Sequence, residues 1–258
     1  MGRYVSGGAN SVPRSMIVSC YASDPAIAVP PWAQGGRGVV RVTGVGAGAS
    51  GNVIITNPST IYGGGAGAIA RDHIMAIPAG VATIAAEIGV GGAKVTAAIA
   101  ADGNPGGHTK LTIGTSILLL QGGGNGLSSR NYRGGVPLCG NSITPYTEPL
   151  NNPPGMGMFS GGDWSDSGGV TGVGSGPSSL AIGANGSQGS WHDGYGTGGM
   201  SPWGSCPIRL KPISDSTNGY DASGYGAGGQ GAFWKSGAAV SSGKGANGFL
   251  LLEFVEGA

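Results

Sequence analysis

Short apolar runs, each closed by glycine or by a proline turn, recur along this chain, and their alternation predicts strands. Ser15-Met16-Ile17-Val18-Ser19-Cys20-Tyr21 is apolar, partly β-branched and followed by Asp24-Pro25, so it reads as a strand and a turn. From Gly38 to Val45, Val40, Val42 and Val45 alternate with Arg41 and Thr43, the period of a half-buried strand, with Gly44 as the point of a bulge. Asn52 to Thr56 reads as a short strand closed by Asn57-Pro58. Arg71 to Ile77 leads into a Pro78-Ala79-Gly80 turn, and Val81 to Val90 is a strand ending at Gly91-Gly92. Lys94 to Ala101 has alanine enough for a short helix, but a strand fits its neighbours better. Thr109 to Leu120 is the most apolar stretch, and Ile117 to Leu120 is expected in the middle of a sheet. Phe249-Leu250-Leu251-Leu252-Glu253-Phe254 is too apolar to stay unpaired and is expected to return into the sheet begun near residue 38.

Between these runs lies glycine, 57 of 258 residues, about three times the usual ~7%. It comes in modules such as Gly63-Gly64-Gly65-Ala66-Gly67 and Gly122-Gly123-Gly124-Asn125-Gly126, without the strict three-residue repeat of collagen. Each interior glycine disfavours helix by roughly 0.8–1 kcal/mol against alanine. The expected fold is therefore all-β: a glycine-rich sandwich of short strands, with irregular or polyproline-II segments where the missing Cβ lets backbones approach closely. Residues 1–28 read as an N-terminal arm holding a docking strand, and 29–258 as the glycine-rich domain. Within that domain, 127–221 loses the long apolar runs and reads as a loop-rich insertion carrying spaced aromatics.

Charge narrows the function. Only 10% of residues are charged and the formal net charge is +1, so no basic block invites nucleic acid. Near-zero net charge favours association, and a homo-oligomer is expected, a trimer above other states. No apolar run reaches the ~20 residues of a membrane span, so no membrane insertion is expected. Cys20, Cys139 and Cys206 are odd in number and far apart, which argues against disulfides and zinc and for buried small hydrophobes.

No motif carries catalysis or a cofactor. Gly46-Ala47-Gly48-Ala49-Ser50-Gly51 matches G-x-G-x-x-G, but a β-like segment and Pro58 follow instead of the helix that dinucleotide binding needs. His192-Asp193 are adjacent on an extended chain and so point in opposite directions. Asp163-Trp164-Ser165-Asp166 lacks the rest of a calcium loop. The aromatics of 127–221 are the residues of interest. Tyr132, Tyr146, Trp164, Trp191, Tyr195 and Trp203, with His192, Asp163 and Asp166 as polar neighbours, are candidates for receptor contact. Rings on Gly- and Ser-rich loops offer rigid contact area at little entropic cost. The same rings also suit a thin core that glycine layers fill poorly; both readings stay open.

The order of modules resembles the glycine-rich domain of tail-fibre and related virion proteins of tailed bacteriophages. Four pieces carry the likeness: Pro30 to Gly48; Gly63 to Gly92; Gly106 to Gly126; and Gly224-Tyr225-Gly226-Ala227-Gly228-Gly229-Gln230-Gly231 before Gly245-Ala246-Asn247-Gly248 and the last strand. The architecture is similar to that of T-even-type tail-fibre tip adhesins, whose glycine-rich motifs alternate with receptor-touching loops. The resemblance implies a non-enzymatic component of the virion tail apparatus, made in the host cytoplasm. Its partners would be other tail proteins and a host surface glycan or outer-membrane protein. The alternative is a purely architectural tail, baseplate, collar or decoration protein. An ice-binding or matrix role fits less well, because the module spacing is irregular.

Overall fold

The computed structural model describes residues 14–55, 61–124, 134–135, 137–140, 179–181, 183–184, 186, 196–207 and 215–256. The fold is all-β; the only helical turn among these residues is a 3-10 turn at Pro31–Ala33. In chain order the first strands are β1 (Ser15–Cys20), β2 (Asp24–Ala28), β3 (Gly38–Val45), β4 (Val53–Ile54), β5 (Ile69–Ala76), β6 (Thr83–Glu87), β7 (Thr96–Ala97) and β8 (Thr109–Ile113). The rest are β9 (Ser116–Leu120), β10 (Pro137–Gly140), β11 (Leu180–Ala181), β12 (Gly204–Ser205), β13 (Ser223–Gly224), β14 (Ala232–Phe233), β15 (Val240–Ser241) and β16 (Phe249–Glu256).

Two five-stranded sheets, ordered β1-β16-β3-β5-β11 and β10-β9-β8-β6-β2, face each other as a sandwich. Alternation decides which side chains meet. Val40, Val42, Leu250, Leu252 and Phe254 of the first sheet pack with Ile84, Leu111, Ile113, Leu118 and Leu120 of the second. Full burial of each such side chain contributes about 1.5–3 kcal/mol. The closing strand lies where its apolarity demands, between β1 and β3.

Several expectations are corrected. The extra residue beside Gly44 belongs to β5, where the ladder with β3 shifts and Asp72 takes φ 48°. Gly44 instead makes room for Phe249, whose carbonyl oxygen would sit 2.5 Å from an added Cβ. Lys94 to Ala101 keeps only Thr96–Ala97 as strand, and the described part of Asn52 to Thr56 only Val53–Ile54. The described part of the arm supplies β1 and β2, edge strands, one in each sheet. The described parts of 127–221 are likewise woven in, as β10, β11 and β12 and as extended segments. Pieces this short have no period to read. Cys139 is exposed, at the edge strand β10; Cys20 and Cys206 are buried as expected.

The glycine modules form the second half of the molecule. In residues 46–52 successive backbone N–H groups donate in three directions, and the pattern repeats every third residue. Gly46, Ala49 and Asn52 donate to Ala68, Gly65 and Tyr62; Ala47 and Ser50 to Gly107 and Asn104; Gly48 and Gly51 to Ala246 and Gly243. A three-residue turn without internal bonds is the polyproline-II helix. The carbonyls of this segment accept in turn from Gly123, Gly92 and Gly229. Residues 46–52 are thus surrounded by six extended segments: three receive its donors and three donate to it. Residues 61–68 repeat the arrangement, donating to 226–232, 121–124 and 183–186 and accepting from 46–52, 134–135 and 196–200. Every residue of 46–52 and 61–68 is buried.

Glycine is required here for distance. A Cβ on Gly48 would lie 1.9 Å from the Ala227 oxygen, one on Gly67 1.9 Å from the Gly46 oxygen, and one on Gly228 2.0 Å from the Gly64 oxygen. Where the repeat is interrupted, side chains take up the spare N–H groups. Ser50 Oγ accepts from Asn104 N (2.7 Å), Asn52 Oδ1 from Tyr62 N (2.8 Å) and Thr109 Oγ1 from Gly89 N (3.1 Å). This meets the requirement that buried backbone groups be paired.

The bundle continues the sandwich. β3 runs into 46–52, β9 into 121–124, and 61–68 and 243–248 run into β5 and β16. At the end away from the sandwich, 93–101 and 232–243 leave the bundle and re-enter it, and β7 and β15 on them pair with each other.

Candidate functional site

At the seam between sandwich and bundle, four aromatic rings gather on the outer face of the first sheet. Phe249 opens β16 and is the buried member; Val45, Ile69 and Ala181 lie with it. Trp203 meets Phe249 edge-on, centroids 5.1 Å apart at 86°. Tyr225 tilts over Phe249 at 5.0 Å and stacks on Tyr21 at 5.4 Å and 22°. Such pairs contribute about 0.5–1.5 kcal/mol each beyond area burial. Tyr21 is 58% exposed, so the stack presents a ring to solvent.

Local sequence fixes these rings. Ser201-Pro202-Trp203-Gly204 closes a tight turn, with Ser201 and Gly204 bridged. Proline at its second position suits such a turn. Tyr225 sits between Gly224 and Gly226, both at φ +72°, a conformation glycine adopts without strain. Its N–H donates to Trp203 O at 2.9 Å, and the Ser201 hydroxyl donates to its carbonyl. The two rings are therefore held by one backbone clamp.

Beside Tyr225 a groove of about 650 Å³ runs along the bundle, lined by Val90, Lys94, Tyr225, Lys244 and Asn247 among others. Asn247 Oδ1 accepts from Gly91 N at 2.9 Å, which orients its amide. The ion pairs among the described residues, Arg14–Glu256, Arg41–Glu253 and Lys110–Glu87, involve neither groove lysine. An aromatic wall with ammonium and amide donors can hold a ring-shaped polar ligand, such as a sugar, by stacking and hydrogen bonds.

Reactive groups are subdued elsewhere. Burial pushes the Cys206 thiol up to about 11, and burial followed by Asp24 raises that of Cys20; thiols so shifted are poor nucleophiles. Burial lowers the pKa of His73, whose Nδ1 lies 2.9 Å from Ser179 Oγ. Among the described residues no three His, Cys, Asp or Glu side chains gather as a metal site, and no helix is long and apolar enough to cross a membrane.

The chain matches a glycine-rich domain family over residues 23–255. It belongs to that family. No curated protein matches it. Among the described residues the matched stretch takes in β2 to β15, all of β16 but its last residue, and the bundle of this glycine-rich domain.

Of the residues singled out from sequence, Trp203 is placed in the seam cluster, where its ring packs on Phe249. Tyr132, Tyr146, Asp163, Trp164, Asp166, Trp191, His192 and Tyr195 lie outside the described residues. Of the described residues that flank them in sequence, Gly124 and Gly134 on either side of Tyr132, and Gly186 and Gly196 on either side of Trp191, His192 and Tyr195, belong to the bundle. The segment holding Tyr146 and Trp164 is bounded by Gly140 and Ser179, which belong to the sandwich side. Sequence reading missed Tyr21 and Tyr225 as a pair. The signal available was Gly224-Tyr225-Gly226, a bulky residue between two glycines.

Proposed function

We propose that this glycine-rich domain protein is a non-enzymatic component of a tailed-phage tail apparatus, a tail fibre or its tip, that adheres to the host surface. The module order that resembles tail-fibre domains motivates the setting. The observation that carries the adhesive reading is the bundle: buried, cross-bonded extended helices make a stiff, weakly charged support. Binding residues concentrate on loops that a rigid scaffold holds in place. The aromatics Tyr132, Trp191 and Tyr195, with His192, would contact a surface glycan or outer-membrane protein. Other tail proteins and further copies of the chain would be its partners in the particle.

A purely architectural role is favoured by one observation, the use of Trp203 as packing against Phe249. Two measurements separate the readings. Microscopy of intact particles should find the protein distal and exposed. Single changes Trp191→Ala and Tyr195→Ala should lose cell adsorption with an unchanged melting temperature; a true hot spot costs about 2 kcal/mol or more. Burial among other tail subunits, or loss of adsorption only in variants that unfold, would replace adhesion with architecture.

A further inference from the structure

The four edges of the sandwich are not equally guarded. Exposed edge strands invite pairing, and proteins blunt them with proline, charge, bulges or brevity. β2 carries Asp24 and Pro25, and its ladder is irregular between Asp24 and Ile27. β10 begins at Pro137, and β11 has two residues. β1 has none of these devices. Its six residues are uncharged and lack proline, and they pair with β16 in unbroken register from Ser15 to Cys20. Among the described residues no strand pairs with its other side. Met16 is 37% and Ile17 63% exposed.

The bonding direction can be read from the end of the ladder. Glu256 N donates to Arg14 O at 3.0 Å, so 14 and 256 form a hydrogen-bonded pair. Antiparallel ladders alternate, and so Met16, Val18 and Cys20 bond toward β16. Ser15, Ile17 and Ser19 turn their N–H and C=O groups away from β16, to the edge that no described strand covers. Their side chains are on the outer face, while Val18 and Cys20 point to the core.

We propose that β1 is a self-association edge, at which two copies of the chain pair antiparallel about a two-fold axis through Ile17. This register is self-complementary. Ile17 lies opposite Ile17 of the second copy, and Ser15 opposite Ser19, each pair exchanging both backbone hydrogen bonds. Met16 lies opposite Val18 on the inner side. Apolar and hydroxyl cross-strand pairs of this kind are favourable, and no like charges oppose one another. The two first sheets become one continuous sheet, and the product is a dimer instead of the trimer expected from composition. The pairing is independent of where the protein sits in a particle.

Light scattering on the full chain over a dilution series tests this. The wild-type chain should be a dimer. Ile17→Lys and Ile17→Glu, at an exposed position, should each be monomeric and keep the wild-type circular dichroism spectrum, because each would oppose its own charge. Mixed one to one, they should recover the dimer. Ser19→Pro removes an outward N–H while leaving the β16 ladder whole, and should also give a monomer. A wild-type monomer or trimer would overturn the proposal, as would charge variants that stay dimeric. Failure of the mixture to re-form a dimer would overturn the two-fold register.

Discussion

At the scale of single residues, this protein turns the most permissive amino acid into a strict requirement. The bundle glycines Gly48, Gly67 and Gly228 do not hold unusual dihedrals. What they lack is the Cβ that a neighbouring carbonyl oxygen excludes, at 1.9 to 2.0 Å. Gly48→Ala or Gly67→Ala should therefore destabilise by about 3 kcal/mol or more, the upper end of overpacking costs, because backbone is what would have to move. Gly35 has nothing within 4 Å and no positive φ. Gly35→Ala should be neutral or gain up to about 1 kcal/mol. Paired urea melts of the variants check this; equal effects would show that the bundle tolerates side chains. His73 gives a pH dependence. Its folded pKa is lowered by burial, so the unfolded chain takes up the proton first. Stability is full above pH ~6.5 and declines as pH falls from there toward the folded pKa. Melting temperatures at pH 7.5 and 5.5 should show this fall, and His73→Gln should make it shallower.

At the scale of elements, β3, β5, β9 and β16 are each half of a longer object, since sandwich strand and polyproline-II segment share one run of chain. β16 is the most exposed to test. It lies between β1 and β3 and carries Leu250, Leu252 and Phe254 into the core. Deleting residues 249–258 should strand β1, uncover the second sheet and leave the protein insoluble; a soluble truncation melting as wild type does would refute this placement. The seam clamp gives a milder case. Trp203→Ala removes the edge-on contact with Phe249 and should cost about 2 kcal/mol, below the cost of truncating a fully buried ring. The strands Gly38 to Val45 and Phe249 to Phe254 were legible because alternation or apolarity leaves few choices. Lys94 to Ala101 was not: its fate depends on Val240 and Ser241, which pair with it from far along the chain.

At the scale of the whole molecule, the glycine-rich segments should be as well protected as the sheets. Hydrogen exchange should find the amides of 46–52 and 61–68 among the slowest, alongside β3 and β16. Fast exchange there would contradict a cross-bonded bundle. The circular dichroism spectrum should combine β and polyproline-II character without a helical signature. The sequence alone determined the all-β class, because dense glycine removes helix, and it determined the pairing of the last strand, because so apolar a run must be buried. It also marked extended segments between the strands. Tertiary structure alone decided the six-neighbour bundle, the edge positions of β1 and β2, and the meeting of Tyr21, Tyr225, Trp203 and Phe249. The physical reason is that these features rest on backbone hydrogen bonds and contacts between segments distant in sequence. Glycine has no side chain to announce its partner, so which carbonyl a given N–H will find is settled only when the whole chain has folded.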